Sequence, residues 1–385
     1  MQLKKLSLIT SILLVSSSLV AEDYVSVQYI HYNEDNGKTS ILVPSIEINK
    51  DFGSDYTLNV SYIYDSISGA SPTYYDSSSG ASASSQGAVP KTSVKYGNID
   101  YKEERNAFGT SFITRFKNRD ELSLGINISR ERDYESNEAS AQYLHWIDKS
   151  KNRSISFGLS YQMNKIEILC SLNNSDTECD SSSSASKKSE SEDLQVLNSE
   201  IGFTQIIDKT SLIKTSIFYI YENGYLSNPY MRVVRFYDIK PTIIQEQKPD
   251  KRVAYGATLQ YTKSFKNQIS TISSYRIYSD DWDITSHTIG SEIYYEFSDK
   301  LTTSIGFRYY TQSKASFYNG SKDYFKNQKY ASSDRRMSDF YSMNYNIGVD
   351  YKINTKVSLN TNVSLYTQPK YFDSLYYNIG AKYRF

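Results

Sequence analysis

The chain of 385 residues contains three histidines, His31, His145 and His287. Histidine is a common general acid or base, but it needs a nucleophile or a carboxylate within hydrogen-bond reach. His287 is flanked by Ser286 and Thr288, and no serine lies two positions away on the same face of an extended segment. His31 and His145 stand beside aromatic residues, as residues that pack at a membrane interface often do. The sequence therefore predicts no catalytic residue and no cofactor, and we do not expect an enzyme.

Three aspartates, Asp280, Asp281 and Asp283, surround Trp282. Three carboxylates could bind Ca²⁺, a hard cation that prefers oxygen ligands. The run is short, however, and lacks the spaced ligand set of a dedicated calcium loop. We therefore favour a solvated turn and predict no metal site.

The elements that must carry these residues are extended, because apolar residues recur with a period of two. Tyr56, Leu58, Val60, Tyr62 and Tyr64 alternate with polar residues over one segment. The same alternation begins again near residues 122, 155, 213, 253, 289, 301, 345 and 357. So many segments, each long enough for a tilted bilayer crossing, predict a closed antiparallel transmembrane β-barrel.

The composition agrees with a barrel wall. Aromatic residues make up 14% of the chain, with 37 Tyr and 16 Phe. The mean hydropathy is low, at −0.55, but a barrel strand needs apolar residues only at alternate positions. Disordered chains are poor in aromatic and β-branched residues, so disorder is excluded. The net charge of zero excludes a nucleic-acid partner that depends on a basic surface.

The first residues have the pattern of a secretion signal. Lys4 and Lys5 precede an apolar run from Leu6 to Val20, and cleavage is expected after Ala21. We therefore assign residues 1–21 to a signal peptide and residues 22–385 to the barrel. In an oxidising compartment Cys170 and Cys179 are expected to form one local disulfide. A metal or redox pair is the weaker alternative, because no histidine lies near them and their spacing is not C-x-x-C.

The connections between the strands alternate in length. Short segments rich in Asp, Asn, Lys, Ser and Gly have ordinary turn chemistry. Between them lie longer polar segments near 67–98, 168–193, 223–251 and 313–337, and shorter ones near 34–37, 134–138, 280–285 and 367–372. Such barrels place tight turns in the periplasm and longer loops outside. The alternation predicts about 16 strands with both termini in the periplasm.

The last strand resembles the carboxy-terminal recognition signal of bacterial outer-membrane proteins. Tyr377, Ile379, Ala381, Tyr383 and Phe385 alternate and end on a terminal aromatic residue. The resemblance implies that Tyr383 and Phe385 are read by the barrel-assembly machinery. A chance apolar edge strand is the alternative, but it would leave an exposed sheet edge that barrel closure removes.

The first hundred residues resemble an uncharacterised family of Gram-negative exported barrels, known only as a domain of unknown function. The resemblance rests on the segment His31 to Asp35 and on a motif at the top of the third strand, formed by Asp65, Ser68, Gly69, Ala70, Ser71 and Pro72. It implies the fold and the cell outer membrane, but no activity. From the residues alone, Asp65 and the hydroxyls that follow it favour a turn in which they bind local backbone amides; a ligand site is the alternative.

The positions between the apolar ones describe the inner wall of the barrel. They include the charged residues Lys214, Arg276, Glu292, Glu296, Arg308, Asp350 and Lys352. A barrel of this size can enclose an aqueous channel, and mixed charge predicts a weak ion preference. A lumen that the barrel's own loops fill is the alternative. A constriction is expected in 67–98 or in 223–251, which carries Arg232, Arg235, Lys240 and Pro241.

These observations favour a porin-like channel for passive passage of small solutes. The first alternative is a non-conducting barrel that serves adhesion, scaffolding or accessory secretion through its outer loops. An outer-membrane hydrolase is the third. The expected partners are outer-membrane lipid, lipopolysaccharide and the assembly machinery.

Overall fold

The computed structural model describes residues 22–35, 39–76, 94–168, 190–229, 231–236, 239–266, 268–319, 325–369 and 371–385, with the backbone alone for residues 67–76, 94–102 and 190. No helix among these residues is long and apolar enough to span a membrane. Cys170 and Cys179 lie outside the described residues, as does the predicted signal peptide.

Eighteen strands account for most of the described chain. They are β1 (Tyr24–Glu34), β2 (Thr39–Phe52), β3 (Tyr56–Asp76), β4 (Val94–Arg115), β5 (Glu121–Arg130), β6 (Tyr134–Trp146), β7 (Arg153–Ile168), β8 (Glu190–Asp208), β9 (Ser211–Gly224), β10 (Arg232–Arg235), β11 (Thr242–Gln245), β12 (Lys251–Ser264), β13 (Ile269–Asp280), β14 (Thr285–Ser298), β15 (Leu301–Gln312), β16 (Phe340–Lys352), β17 (Val357–Gln368) and β18 (Phe372–Arg384). A 3₁₀ turn is formed by Arg335–Met337.

Sixteen of the strands form a closed antiparallel barrel, and β10 and β11 form a separate hairpin. Each barrel strand pairs with the next barrel strand along the chain, and β9 pairs with β12. The ring closes where β1 pairs with β18, with Tyr29 opposite Ile379. Closure gives every strand two neighbours and leaves no exposed edge. The predicted all-β barrel of sixteen strands is confirmed.

The two faces of the wall differ in composition, as the alternation predicted. Ile217, Ile305, Ile347 and Ile379 each expose more than half of their surface on the outer face. The residues between them point inward and are mostly serine, asparagine, glycine or charged. An outer face of this kind suits contact with lipid hydrocarbon, while the inner face suits water.

The connections at one end of the barrel are tight turns, and those at the other end are longer. Both chain termini lie at the turn end, because β1 begins opposite the end of β2 and the end of β18. Two predicted loops are displaced from their expected positions. β3 continues to Asp76 and β4 begins at Val94, so much of segment 67–98 is strand. Residues 134–138 belong to β6, and residues 131–133 make the connection.

The motif at Asp65 is part of a strand and not of a turn, which corrects the sequence-based interpretation. Ser68, Gly69, Ala70, Ser71 and Pro72 continue β3 and pair with β4. Asp65 is buried, and its Oδ2 lies 2.7 Å from Nε of Arg105 on the neighbouring strand. The carboxylate binds a guanidinium across the ladder because burial requires a charged partner. The local sequence gave no indication of Arg105, which is 40 residues away.

Candidate functional site

The candidate site is the barrel mouth at the loop end, together with the inner wall beneath it. Two loops, formed by the described residues of 225–250 and 313–338, pack against each other at this mouth, and we call them the cap. The first loop contains the hairpin of β10 and β11, in which Val233 pairs with Ile244. Val233 and Val234 are 0% and 1% exposed, although they lie in a loop. Such burial requires a packed core within the cap.

The two loops of the cap are joined by backbone hydrogen bonds and apolar contacts. Gln247 and Ala331 exchange hydrogen bonds of 3.0 and 2.8 Å, and the Phe325 amide donates to the Val234 carbonyl over 3.1 Å. Val233, Phe325 and Ala331 form a small buried cluster with Ile244 against it. The cap is thus a folded unit and not a pair of independent loops.

A buried group of charges lies inside the cap. Lys248 Nζ is 2.9 Å from Glu246 Oε1 and 3.3 Å from Asp334 Oδ2. Arg336 Nε donates to both carboxylate oxygens of Asp334 over 2.9 Å. Burial alone would raise the pKa of Asp334, but the Arg336 guanidinium and the Lys248 ammonium hold it well below its usual range. Asp334 is therefore ionised at neutral pH and forms ion pairs with both cations.

The cap packs onto the inner wall of the barrel. Tyr225 and Leu226 contact Ile166, Leu194 and Val196, which are buried at the loop ends of β7 and β8. The hairpin lies close to β3, six places around the ring from β9, where this loop begins. In a ring of sixteen strands, that span extends over most of the mouth. The hairpin of the first loop therefore reaches across the mouth toward β3, whereas a constriction in 67–98 or in 223–251 stays a prediction.

Asp280 joins the β13–β14 connection to β12. Its Oδ2 accepts a hydrogen bond of 2.8 Å from Nε of Arg252, and its Oδ1 accepts from the amides of Trp282 and Ile284 over 3.0 and 2.9 Å. The Arg252 guanidinium also lies over the Trp282 ring, 4.7 Å from its centroid. Asp280 is thus buried and holds the β13–β14 connection, so the predicted solvated turn is wrong for Asp280, whereas Asp281 and Asp283 are exposed.

A repeated arrangement at the rim was not recognised from the sequence. On β1, β13, β15 and β17, an inward-facing tyrosine hydroxyl donates to the acidic or amide side chain two residues later, over 2.7 to 3.0 Å. The pairs are Tyr32–Glu34, Tyr278–Asp280, Tyr310–Gln312 and Tyr366–Gln368. Gln312 in turn donates to the backbone carbonyls of Arg336 and Ser338 in the cap. The recurrence of Tyr-x-Asp/Glu/Gln at strand ends is the sequence pattern that could have indicated these four hydrogen-bonded pairs at the rim.

The predicted lumen charges lie on the inner face of the wall at different heights. Arg276 and Arg308 lie on β13 and β15 below the rim, and the Arg276 guanidinium is 4.4 Å from the centroid of the Phe218 ring. Closer to the turn end, Asn346 donates to Glu292 across Gly306 over 3.3 Å. A Cβ at Gly306 would overlap the Asn346 amide, so only glycine permits this bond. The remaining predicted lumen charges lie closer to the turn end of the barrel. They are Glu296 on β14, Asp350 and Lys352 on β16, and Lys214 on β9.

The terminal residues of the chain complete the seam between first and last strands. Tyr383 pairs with Val25 on one side and with Val357 on the other. The Phe385 amide donates to the Asp23 carbonyl over 3.2 Å, and its ring stacks with that of Tyr383 at a centroid distance of 6.4 Å. Both side chains are exposed on the outer face. Recognition of these two residues by the assembly machinery stays a prediction.

A group of carboxylates at the loop end is formed by Glu103, Glu131 and Asp133, with one oxygen of each within 4.8 Å of the others. Glu131 is buried, and it also lies 3.9 Å from Arg105. Burial and the neighbouring carboxylates raise the pKa of Glu131 to about 7, against the opposing effect of Arg105. Through Glu131, this group lies next to the Asp65–Arg105 pair.

Residues 7–380 match the family described as a protein of unknown function, DUF3570. The chain belongs to this family. No curated protein matches it in sequence.

Among solved structures, the DUF3570 chain is similar to a bacterial polysaccharide outer membrane secretin, with a TM-score of 0.50 and 8% identity over 95% of this chain and 99% of that one. It is also similar to CdiB from Acinetobacter baumannii, with a TM-score of 0.52 and 8% identity over 94% of this chain and 60% of that one. At such identity the likeness shows the fold of outer-membrane barrels alone.

Proposed function

We propose that this protein is a porin-like channel of the Gram-negative outer membrane, through which small polar solutes pass passively. The observation that carries the proposal is a closed sixteen-stranded barrel with an apolar outer face and a polar, charged inner face. Sixteen-stranded barrels are wide enough for an aqueous channel. In this proposal the turn end with both termini faces the periplasm, and the loops and cap face outward.

The remaining parts of the proposal follow from the same placement. The outer face contacts membrane lipid, and the loop end contacts lipopolysaccharide. Assembly uses the terminal segment with Tyr383 and Phe385. No catalytic step is part of the proposal. His145 Nδ1 lies 2.8 Å from the buried carboxylate of Asp120, and His287 Nδ1 lies 2.8 Å from the hydroxyl of Tyr275.

Single-channel recording in a planar bilayer tests the proposal. We expect steady, stepwise conductance from the folded protein, with a small preference between K⁺ and Cl⁻, because both signs of charge line the wall. A parallel measurement with a variant in which a short Gly-Ser linker replaces 228–247 isolates the effect of the cap. We expect this variant to conduct more than the natural chain. A correctly folded barrel that carries no current in either form would overturn the channel proposal.

The cap is the observation that favours a second function. A loop unit with its own buried core and ion pairs is more ordered than a solvated loop, and it presents a defined surface at the mouth. If the natural chain is silent and only the shortened variant conducts, the cap is a plug. A non-conducting role in adhesion, scaffolding or accessory secretion would then be the better description.

A further inference from the structure

The arginines of the inner wall fall into two groups. Arg105 is paired with Asp65, Arg115 with Glu121, and Arg252 with Asp280 and Glu222. Arg276 and Arg308 differ from these. Within the part of the chain that the structure describes, neither guanidinium lies within ion-pair distance of a carboxylate. An arginine that faces a lumen without such a partner has all its donors available to a solute.

The two unpaired arginines face the same part of the lumen. They lie on β13 and β15, which flank β14, so their backbones are roughly 10 Å apart from two strand spacings. Between them β14 carries Thr288 opposite Arg276 and Gly290, which has no side chain, opposite Arg308. The charges of Arg276 and Arg308 are close enough to repel each other. An anion between them would relieve that repulsion.

Aromatic rings surround this pair. The Arg276 guanidinium lies over the Phe218 ring at 4.4 Å, which fixes its plane and leaves the N–H groups at its edge free. Tyr310 follows Arg308 on the same inner face. Tyr366 lies on β17, two strands from Arg308, opposite the Asn344 that pairs with Arg308. The partly exposed tyrosine rings offer apolar faces, and their hydroxyls are already bound to Gln312 and Gln368.

We propose that Arg276 and Arg308 form a binding site for the oxyanion group of a small ring-bearing solute, with the body of the solute against Tyr310 and Tyr366. Two guanidinium groups can bind a carboxylate or a phosphate through several charge-assisted hydrogen bonds. Among the described residues no carboxylate lies within ion-pair distance of either guanidinium, and the Glu292 carboxylate on β14 accepts a hydrogen bond from Asn346. The inference rests on the proposed channel for its physiological meaning, but binding can be measured without current.

Isothermal titration calorimetry of the folded protein, purified from membranes in detergent, tests the site. Glucuronate, glucose 6-phosphate and glucose share one sugar ring and differ in the carboxylate or phosphate. We expect both anions to bind and glucose to bind at least about tenfold more weakly. The stronger of the two anions identifies the oxyanion that the site prefers.

Substitutions locate the binding. We expect Arg276→Gln and Arg308→Gln each to weaken the binding of the preferred anion by about tenfold, as expected for the loss of one charge-assisted contact. Lys352→Gln removes the same charge from the inner wall near the turn end and serves as the matched control. We expect Lys352→Gln to change the affinity by less than about twofold. Equal effects of all three substitutions would overturn the site in favour of a general effect of lumen charge.

The outcome separates this inference from the channel proposal. Binding that depends on the two arginines, in a protein that carries no current, would support the site and reject the channel. Conductance without arginine-dependent binding would support the channel and reject the site. If the anions do bind, they should also reduce the single-channel current of the natural chain and do so less in Arg308→Gln.

Discussion

Lys248 is expected to control the stability of the cap, and Lys248→Ala is the sharpest perturbation of it. The lysine is 4% exposed and binds Glu246 and Asp334, which are 0% and 4% exposed. Without Lys248 the carboxylates of Glu246 and Asp334 stay buried, and only Arg336 remains as a cationic partner of Asp334. The loss of one member of a buried ion pair costs about 3–5 kcal/mol. At about 1.4 kcal/mol per factor of ten, the population of opened cap should rise by roughly 10²- to 10³-fold.

Trypsin cleavage after Arg235 measures that population. Arg235 is buried in the cap, and its guanidinium binds the Gln328 and Lys329 carbonyls, so cleavage requires opening. When opening is fast, the cleavage rate follows the fraction of open cap. Lys314→Ala removes an exposed cap lysine and serves as the control. The unchanged electrophoretic mobility of the unheated barrel would show that the wall itself stays folded.

The cleavage rates of Lys248→Ala and Lys314→Ala decide whether the buried ion pairs stabilise the closed cap. If Lys248→Ala is cleaved after Arg235 no faster than the natural chain or Lys314→Ala, the buried ion pairs do not stabilise the closed cap. Faster cleavage in both variants would instead indicate that any change of charge loosens the loops. Faster cleavage in Lys248→Ala alone, with a matching rise in conductance, would show that the cap limits the current.

Three further predictions concern the ends of the barrel. Hydrogen bonds from His145 and Tyr143 lower the pKa of Asp120 to about 2 despite its burial, so Asp120→Asn should lower the free energy of unfolding by about 1–3 kcal/mol at pH 7. In urea titrations of the protein in lipid vesicles, this difference should disappear as the pH falls from about 4 to 2, because the native contribution is lost there. Gly224 has φ of 123°, and a Cβ there would overlap the Asp193 carbonyl. Gly224→Ala should therefore lower the free energy of opening at the start of the cap by about 1–3 kcal/mol, measured as faster hydrogen exchange there. Glu131→Gln should raise the urea midpoint at pH 8 but not at pH 4. The raised pKa of Glu131 means that the folded state of the natural chain loses stability as the pH rises through about 7. Equal midpoints of the two proteins at pH 8 would contradict this.

Much of the barrel could be predicted from the sequence because each strand carries its own pattern. The alternation around Tyr56 to Tyr64 and around Leu301 to Tyr309 depends only on residues within the strand. Turn chemistry is equally local, and short segments of Asp, Asn, Lys and Ser do join β8 to β9 and β16 to β17. The inward placement of Arg276 and Arg308 followed from the same period of two.

The places where prediction failed are those where distant residues decide the structure. Asp65 was interpreted as a turn residue because serine and glycine follow it, but Arg105 on β4 extends the ladder and buries the carboxylate. Asp280 was interpreted as solvated because charged neighbours surround it, yet Arg252 on β12 makes it a buried partner. Charge and turn propensity are local tendencies, and a buried ion pair across strands overrides them.

By itself the sequence determined the all-β class, the strand number and the two faces of the wall, because a period of two and local turn residues are sufficient for these. Only the tertiary structure decided how the loops fold. The core of Val233, Phe325 and Ala331 joins segments almost a hundred residues apart, and no periodicity marks them. The mouth, its cap and the unpaired arginine pair beneath it arise when closure of the barrel brings distant strands together. Contacts of that kind depend on the closed barrel as a whole, so no single segment of the sequence predicts them.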